Sequence, residues 1–334
     1  MKKYLAALII ISAIALLTLY ATLIMPNTSK HTKLCIPKSA TPSYVQKHML
    51  KIVSHPTLMK LALKLKPIKH FFPGCYCIKP GMSDKQIINM VSSGANQCII
   101  KFSIPPTYAR KSTLIILAKK NLDIDTSSLK NLLNNNNFLK QFGFNSNDIL
   151  TMFLSATYFF YWSVSAKHFL KKIYHDYSHF WNKYRLAKAK TIGLTPKQIV
   201  ILASIVQAEQ RQHPDEWPVI AGLYINRLKK NMPLQADPTI IYAWNNDSIH
   251  RIYNYMLKIK SPFNTYTHTG LPPAPITFTS PKAIDAVLNY KKSNYLYMVA
   301  KADLSGYHHF SSTLKEHLIY AKKYQQALNK LGIK

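Results

Sequence analysis

The sequence predicts an α+β protein: an N-terminal transmembrane helix, then a small β/α subdomain, then a larger body of mixed helices and strands. Three observations lead there. Residues 4–25, YLAALIIISAIALLTLYATLIM, form an apolar run without a charge. Residues 74–105 give a strand pattern, a capped helix pattern and a second strand pattern. After residue 194, a capping signature opens an apolar helix, and further helical and strand segments follow.

Composition sets the outer limits. The chain has 334 residues, 48% of them hydrophobic and 12% aromatic, enough for a packed core and about two domains. Its 44 basic residues against 13 acidic ones give a formal net charge of +31. That balance suits nucleic acid, anionic lipid headgroups or an acidic cell-wall polymer. Compositional drift accounts for it as well, because no block of five or six consecutive basic residues occurs. Neither zinc-finger spacing nor an RNA-binding aromatic signature stands out, so nucleic acid is not expected as a partner.

The element order begins with the anchor, residues 1–25. The uncharged run spans about 33 Å as a helix, enough for a bilayer core. It is too long for a secretory signal and lacks a clear cleavage site, so an uncleaved anchor is expected. Lys2 and Lys3 favour a cytoplasmic N-terminus, although Lys30 and Lys33 beyond the span weaken that vote. The body then lies outside the cytoplasmic membrane. Residues 26–45, rich in Ser, Thr, Pro and Lys, read as a tether.

Residues 46–110 form the small subdomain. GCYCIKPG (74–81) reads as a strand ending in a turn. In SDKQIINMVSS, Ser83 caps a helix, and QCIIKFSIP (97–105) reads as the next strand. An exported location permits disulfides among Cys35, Cys75, Cys77 and Cys98. Cys75 and Cys77 share one side of a strand, and Cys98 can bridge to either. Zinc spacing is absent, and no histidine pair supplies a metal site.

Residues 111–190 read as a helical connecting region. NLLNNNNFLK (131–140) marks a loop or a helix break, and helical spacing with dense aromatics returns over 151–190. Those aromatics are either core packing or a surface that touches a sugar polymer.

Residues 191–334 carry the sharpest helix start. In GLTPKQIV, Thr195 is the N-cap, Pro196 the first helical residue and Gln198 the far side of a capping box. Apolar residues then fall on all faces, which predicts a helix buried on most sides and ended by Pro214 or by a turn just before it. A second helix is expected through EWPVIAGLYINRLKK. Glu209 stands near the C-terminal end of the buried helix. The carbonyl dipoles there repel a negative charge, and burial penalises it further. Both effects raise a carboxyl pKa, which is what a general acid needs. The structural alternative is a glutamate paired with Arg211 or Arg227.

Four segments, ILASIVQAEQ, YINRLKKNMPLQADPTIIYAW, SPFNTYTHTGLPPAPI and YLYMVAKADLSGYHHFSSTLKEH, stand in that order. Together they resemble the YceG-like family of endolytic murein transglycosylases. The resemblance covers residues 70–325 and is strongest from 194 to 317. PGCYCIKPGMSDKQIINMV is similar to the family's LysM-like segment. The resemblance implies a LysM-like subdomain over 46–110 and a transglycosylase catalytic domain over 191–334. It also implies a protein of the cytoplasmic membrane that cuts nascent peptidoglycan strands between MurNAc and GlcNAc and leaves 1,6-anhydro-MurNAc ends. Such a lyase needs no cofactor and no metal. Peptidoglycan synthases would be its partners.

Many relatives carry two acids in the stretch corresponding to SIVQAE, where this chain has Gln207 and Glu209. An amide cannot serve as the acid, so the resemblance assigns Glu209 as general acid and then base. By the same likeness Asn264, Thr265 and Tyr266 contact sugar, although Asn and Thr also cap turns. Gln235 and Asp237 orient substrate or Glu209, or else shape an Asx-turn. Asn226 and Arg227 support the acid, Arg227 by tuning it or as an ordinary ion pair. His309 donates to the glycan or is structural. Ala236 and Ala274 replace the family's more usual Thr or Ser and Gly. A non-catalytic peptidoglycan-binding scaffold is the alternative function; it would have no use for an acid of raised pKa.

Overall fold

The computed structural model describes residues 2–249 and 251–330. It is a mixed α/β chain that begins with a long apolar helix, α1 (Lys2–Leu23), of which Tyr4–Leu23 is long and apolar enough to cross a membrane. Large apolar side chains stand exposed along it, Leu16 at 66%. Two of its hydroxyls bond back to the helix backbone: Thr18 Oγ1 donates to Ile14 O at 2.7 Å and Thr22 Oγ1 to Thr18 O at 2.6 Å. Internal satisfaction of polar groups is what a hydrocarbon surrounding demands. The side chains of Lys2 and Lys3, on which the expected orientation rests, lie outside the described residues.

The chain forms two compact units. The first takes residues up to Phe102 together with Ala118–Asp125 and Phe159–Ala166. After α1 come β1 (Thr32–Ile36), α2 (Pro42–Lys51), α3 (Pro56–Leu65), β2 (Gly74–Ile78), α4 (Asp84–Ser93) and β3 (Ile99–Ser103). β1 and β2 pair antiparallel with Cys35 opposite Cys75. Leu34, Ile36, Val45, Met49, Ile78 and Ile87 meet in one buried cluster. The expected tether, 26–45, therefore contains a core strand, because Leu34 and Ile36 supply part of that cluster. Local chemistry sets the helix ends. Ser83 and Gln86 form a capping box at the start of α4, and Gly94, at φ 73°, closes it in the left-handed region. Disulfides join Cys35 to Cys75 and Cys77 to Cys98. Of the two partners left open for Cys98, the structure takes Cys77. β3 ladders with a later strand, not with β2, which meets the preceding segment by a single bridge between Tyr76 and Gln97.

The second unit comprises Ser103–Leu117, Thr126–Tyr158 and the chain from Lys167 onward. In chain order the elements continue with α5 (Lys111–Asn121), α6 (Thr126–Asn134), α7 (Asn136–Lys140), β4 (Thr157–Tyr161), α8 (Ala166–Phe180) and α9 (Lys183–Ile192), the end of α5 and the last three residues of β4 belonging to the first unit. The asparagine run is a one-residue break, in which the Asn135 side chain accepts from Phe138 N at 3.1 Å. The helical reading of 151–190 is corrected at its start. TYFFY is the strand β4, paired with β3, with Tyr158 and Phe160 buried and their neighbours exposed. That period of two belongs to a strand, and aromatics pack well on a pleated face.

The centre of this unit is α10 (Pro196–Glu209), whose residues from Ile199 to Ala208 are all buried. The Thr195–Gln198 capping box opens it. Around it pack α11 (Trp217–Lys229), α12 (Asp237–Trp244) and α13 (Pro281–Leu288). Two polar side chains of α10 pin the segment leading into α13. Ser204 Oγ accepts from Ile276 N at 3.0 Å, and Gln207 Nε2 donates to Thr277 Oγ1 at 3.0 Å. α10 stops short of Pro214 because Gln210 turns extended, at φ −127° and ψ 92°. Its Oε1 then accepts from Gln212 N and His213 N, both at 3.1 Å. On α11 a Cβ at Gly222 would stand 2.2 Å from Lys291 O, so only glycine admits that strap. The hairpin β5 (Tyr297–Ala300) and β6 (His308–Ser311) follows, with α14 (Leu314–Lys330) packed on it.

Candidate active site

Glu209 is the last residue of α10, where the buried helix opens into a cavity of about 400 Å³. Tyr224, Gln235, Asp237, Tyr266 and His308 are among the other residues of its wall. Tyr224 of α11 donates its hydroxyl hydrogen to Glu209 Oε1 at 2.7 Å. Burial is the main influence on the carboxyl and favours the protonated form; the Tyr224 bond opposes it, the Asp237 charge adds to it and Arg227 opposes it. The balance pushes the Glu209 pKa up to about 8. At neutral pH this group therefore mostly holds its proton.

A second polar pair faces the same space. Tyr266 donates its hydroxyl hydrogen to Asp237 Oδ1. Burial, that bond and the charges of Asp237 and Glu209 all push the Tyr266 pKa up, so its hydroxyl remains a donor. Asp237 opens α12, and Gln235 before it adopts the left-handed region at φ 53°. Arg227 holds this turn from below. Its Nε donates to Leu296 O at 2.6 Å, and Nη1 reaches Pro233 O and Leu234 O at 3.0 Å and Gln235 Oε1 at 3.1 Å. The guanidinium is thus bound to carbonyls. Among the described residues Glu209 makes no ion pair, neither with Arg227 nor with Arg211. Arg227 influences Glu209 only through its field.

The structure brings together Glu209, Gln235, Asp237, Tyr266 and Arg227 in the wall of one cavity, and leaves four other residues outside it. Asn264 is fully buried, and its Nδ2 donates to Leu257 O at 2.8 Å and Ile259 O at 2.9 Å. Thr265 Oγ1 accepts from Ala236 N at 3.0 Å and shares a hydrogen bond with Thr239 Oγ1 at 2.9 Å. Thr265 thus fastens the loop that carries Gln235 and Asp237, whereas Asn264 ties its own segment together. Asn226 donates to Ser293 O and Tyr295 O at 2.8 and 3.0 Å and ties α11 to the segment before the hairpin. His309 stacks on Tyr320 with ring centroids 4.2 Å apart, whereas its neighbour His308 lines the cavity. Alternation along β6 separates the two rings.

Tyr224 and His308 also face the cavity and are not among the residues expected from the sequence. Tyr224 carried a signal: it stands three residues before Arg227 and so shares its helix face. His308 directly precedes His309, the histidine expected from the sequence. His317 of α14 also lines the cavity, and burial followed by the Arg227 charge lowers its pKa, which keeps the ring neutral. Among the described residues, no three His, Cys, Asp or Glu side chains are grouped as a metal ion would require. What the arrangement offers chemically is one protonated carboxyl, a tyrosine bonded to it, and a polar wall.

The sequence model of the YceG-like family matches residues 34–323. A Bacillus subtilis protein named endolytic murein transglycosylase is 39% identical over 132 residues, covering 40% of this chain and 36% of that protein. A Streptococcus pneumoniae protein of the same name is 36% identical over 115 residues, 33% of this chain and 21% of that one. The match thus spans 36% of the length of the first relative and 21% of the second. A crystal structure of a YceG-like protein from Listeria monocytogenes superposes with a TM-score of 0.57 at 24% identity, covering 87% of this chain and 98% of that one. This likeness is one of fold.

Proposed function

The chain belongs to the YceG-like family, and from that premise we propose that it is a membrane-anchored endolytic lytic transglycosylase of peptidoglycan, with Glu209 as its acid and base. The observation that carries this reading is the Glu209 carboxyl, held by Tyr224 at 2.7 Å in a cavity wall with its pKa near 8. The relatives named endolytic murein transglycosylase support the substrate class.

Glu209, protonated, gives its proton to the glycosidic oxygen between MurNAc and GlcNAc. The C1–O bond breaks, and positive charge develops on the muramoyl ring. The C6 hydroxyl oxygen of the same sugar attacks C1, and Glu209, now a carboxylate, takes the hydroxyl proton. One new C–O bond replaces the one broken, no water is consumed, and the enzyme returns to its starting protonation. A pKa near the working pH lets one group serve both steps. Tyr224 keeps the carboxyl aimed, and Asp237 keeps Tyr266 turned toward its own oxygen. Helix α1 serves as the cytoplasmic-membrane anchor with the body outside; the two disulfides suit that oxidising side. The first unit is read as a LysM-like strand holder, and synthases of the same polymer as partners.

The test is muropeptide analysis after incubation of the full chain with uncross-linked glycan strands. New 1,6-anhydro ends are expected, falling about 10²–10⁴-fold for Glu209→Gln. New reducing ends in their place would make the protein a hydrolase, and ends that persist undiminished in Glu209→Gln would remove the acid from the mechanism.

A further inference from the structure

One histidine in the cavity wall is held more tightly than a wall residue needs. His308 Nδ1 lies 2.7 Å from Glu216 Oε2, and the backbone N of His308 donates to Glu216 Oε1 at 2.9 Å. Both oxygens of one carboxylate are thus spent on one residue. A carboxylate only accepts, so Nδ1 carries the hydrogen of this bond. Glu216 is itself fixed. Gln210 Nε2 donates to Glu216 Oε2 at 3.0 Å and to Gly306 O at 2.8 Å, and Gln210 O accepts from Trp217 Nε1 at 2.6 Å. Gln210 directly follows Glu209. The network therefore runs from the acid's own helix end, through a buried amide and a buried carboxylate, to an imidazole in the wall of the acid's cavity. The second ring nitrogen, Nε2, makes no hydrogen bond among the described residues.

We propose that His308 is a glycan-binding residue, its ring fixed by Glu216 so that Nε2 meets a sugar hydroxyl or acetamido group in the cavity beside Glu209. Glu216 and Gln210 are positioning residues that act through it. Carboxylate-oriented imidazoles of this kind have one tautomer and one ring direction, which lowers the entropy lost when a ligand is bound. The inference rests on the reading of this cavity as the glycan site. The purely structural alternative is that the Glu216–His308 bond exists to pin the hairpin to the end of α10.

Two substitutions separate these roles because each keeps one end of the ring. His308→Asn retains a donor where Nδ1 stands and deletes the cavity-facing end. His308→Gln retains a polar group where Nε2 stands and gives up the bond to Glu216. Both are made in full-length Glu209→Gln protein in detergent, which binds strands without cleaving them, and strand affinity and thermal unfolding are measured together. His308→Asn is expected to weaken binding about tenfold, as loss of one good hydrogen bond does, with the unfolding midpoint nearly unchanged. His308→Gln is expected to bind within about threefold of its parent while unfolding at lower temperature. Undiminished binding by His308→Asn, or equal loss of binding in both variants, overturns the proposal. A Glu209→Gln parent that does not bind strands at all removes the glycan site itself, a failure that is recognised before either His308 variant is compared.

Discussion

Glu209→Gln should leave a protein that is more stable, and more so at high pH than at low. A folded-state pKa of about 8, against 4.5 for an ordinary glutamate, means that the folded protein binds this proton more tightly than the unfolded chain does. The associated stability is complete below about pH 4.5, declines as pH rises through 8, and is gone above it. The interval corresponds to about 5 kcal/mol for a fully shielded carboxyl. Glu209 is half-buried at a cavity mouth, so about 2–4 kcal/mol is the realistic size. Glutamine never ionises, and its side-chain oxygen can still accept from Tyr224. Urea denaturation of wild type and Glu209→Gln at pH 5 and pH 9 isolates this one group, because every other titration cancels in the double difference. The variant's advantage should grow by a few kcal/mol between the two pH values. An equal advantage at both, or a disadvantage at pH 9, would mean a carboxylate ionised at its ordinary value, and the general-acid argument would fall with it.

Three further outcomes follow from the same neighbourhood and from the first unit. Tyr224→Phe removes a hydrogen bond that favours the ionised carboxyl, so the alkaline limb of the pH–rate profile should move up by about one pH unit; a downward move contradicts the assignment. Asp237→Asn removes a charge that raises the Glu209 pKa, so the same limb should move down, with less activity lost than in Glu209→Gln. A greater loss than in Glu209→Gln would transfer the acid role to Asp237. Reducing the disulfides Cys35–Cys75 and Cys77–Cys98 should weaken the first unit by about 2–4 kcal/mol for each bond, read as faster amide exchange in β1 and β2. Unchanged exchange in those strands would show that the bonds carry no stability.

Features set by local chemistry were legible in the sequence. The cap at Ser83 and the capping box at Thr195 are local, because cap and partner stand three residues apart. The late acid on an all-apolar helix was legible too, since burial of α10 and the position of Glu209 both follow from one segment. What escaped required contact between segments. Helical periodicity puts Tyr224 beside Arg227, but only packing turns that face toward α10. The two adjacent histidines pose a question of strand phase: a period of two separates them and does not say which one faces inward. TYFFY was absorbed into a helical region because its neighbours are helical, whereas its short length and aromatic content suit a strand. Asn264 and Thr265 were read as ligand contacts because their side chains suit sugars, and the same chemistry suits buried carbonyls and amides.

The first unit is not one continuous stretch of chain. It draws on residues up to Phe102, then on Ala118–Asp125, and finally on Phe159–Ala166. During synthesis, at about 5–20 residues per second, several seconds separate the appearance of Phe102 from that of Ala166. Throughout that interval the early part of the unit exists without its last pieces, while Cys35, Cys75, Cys77 and Cys98 are already present. The two crosslinks can therefore close before the unit is complete and hold the early strands in register until the late segments arrive. A truncation meant to yield either unit alone cannot be made with a single cut, since every cut point between Phe102 and Ala166 divides a unit.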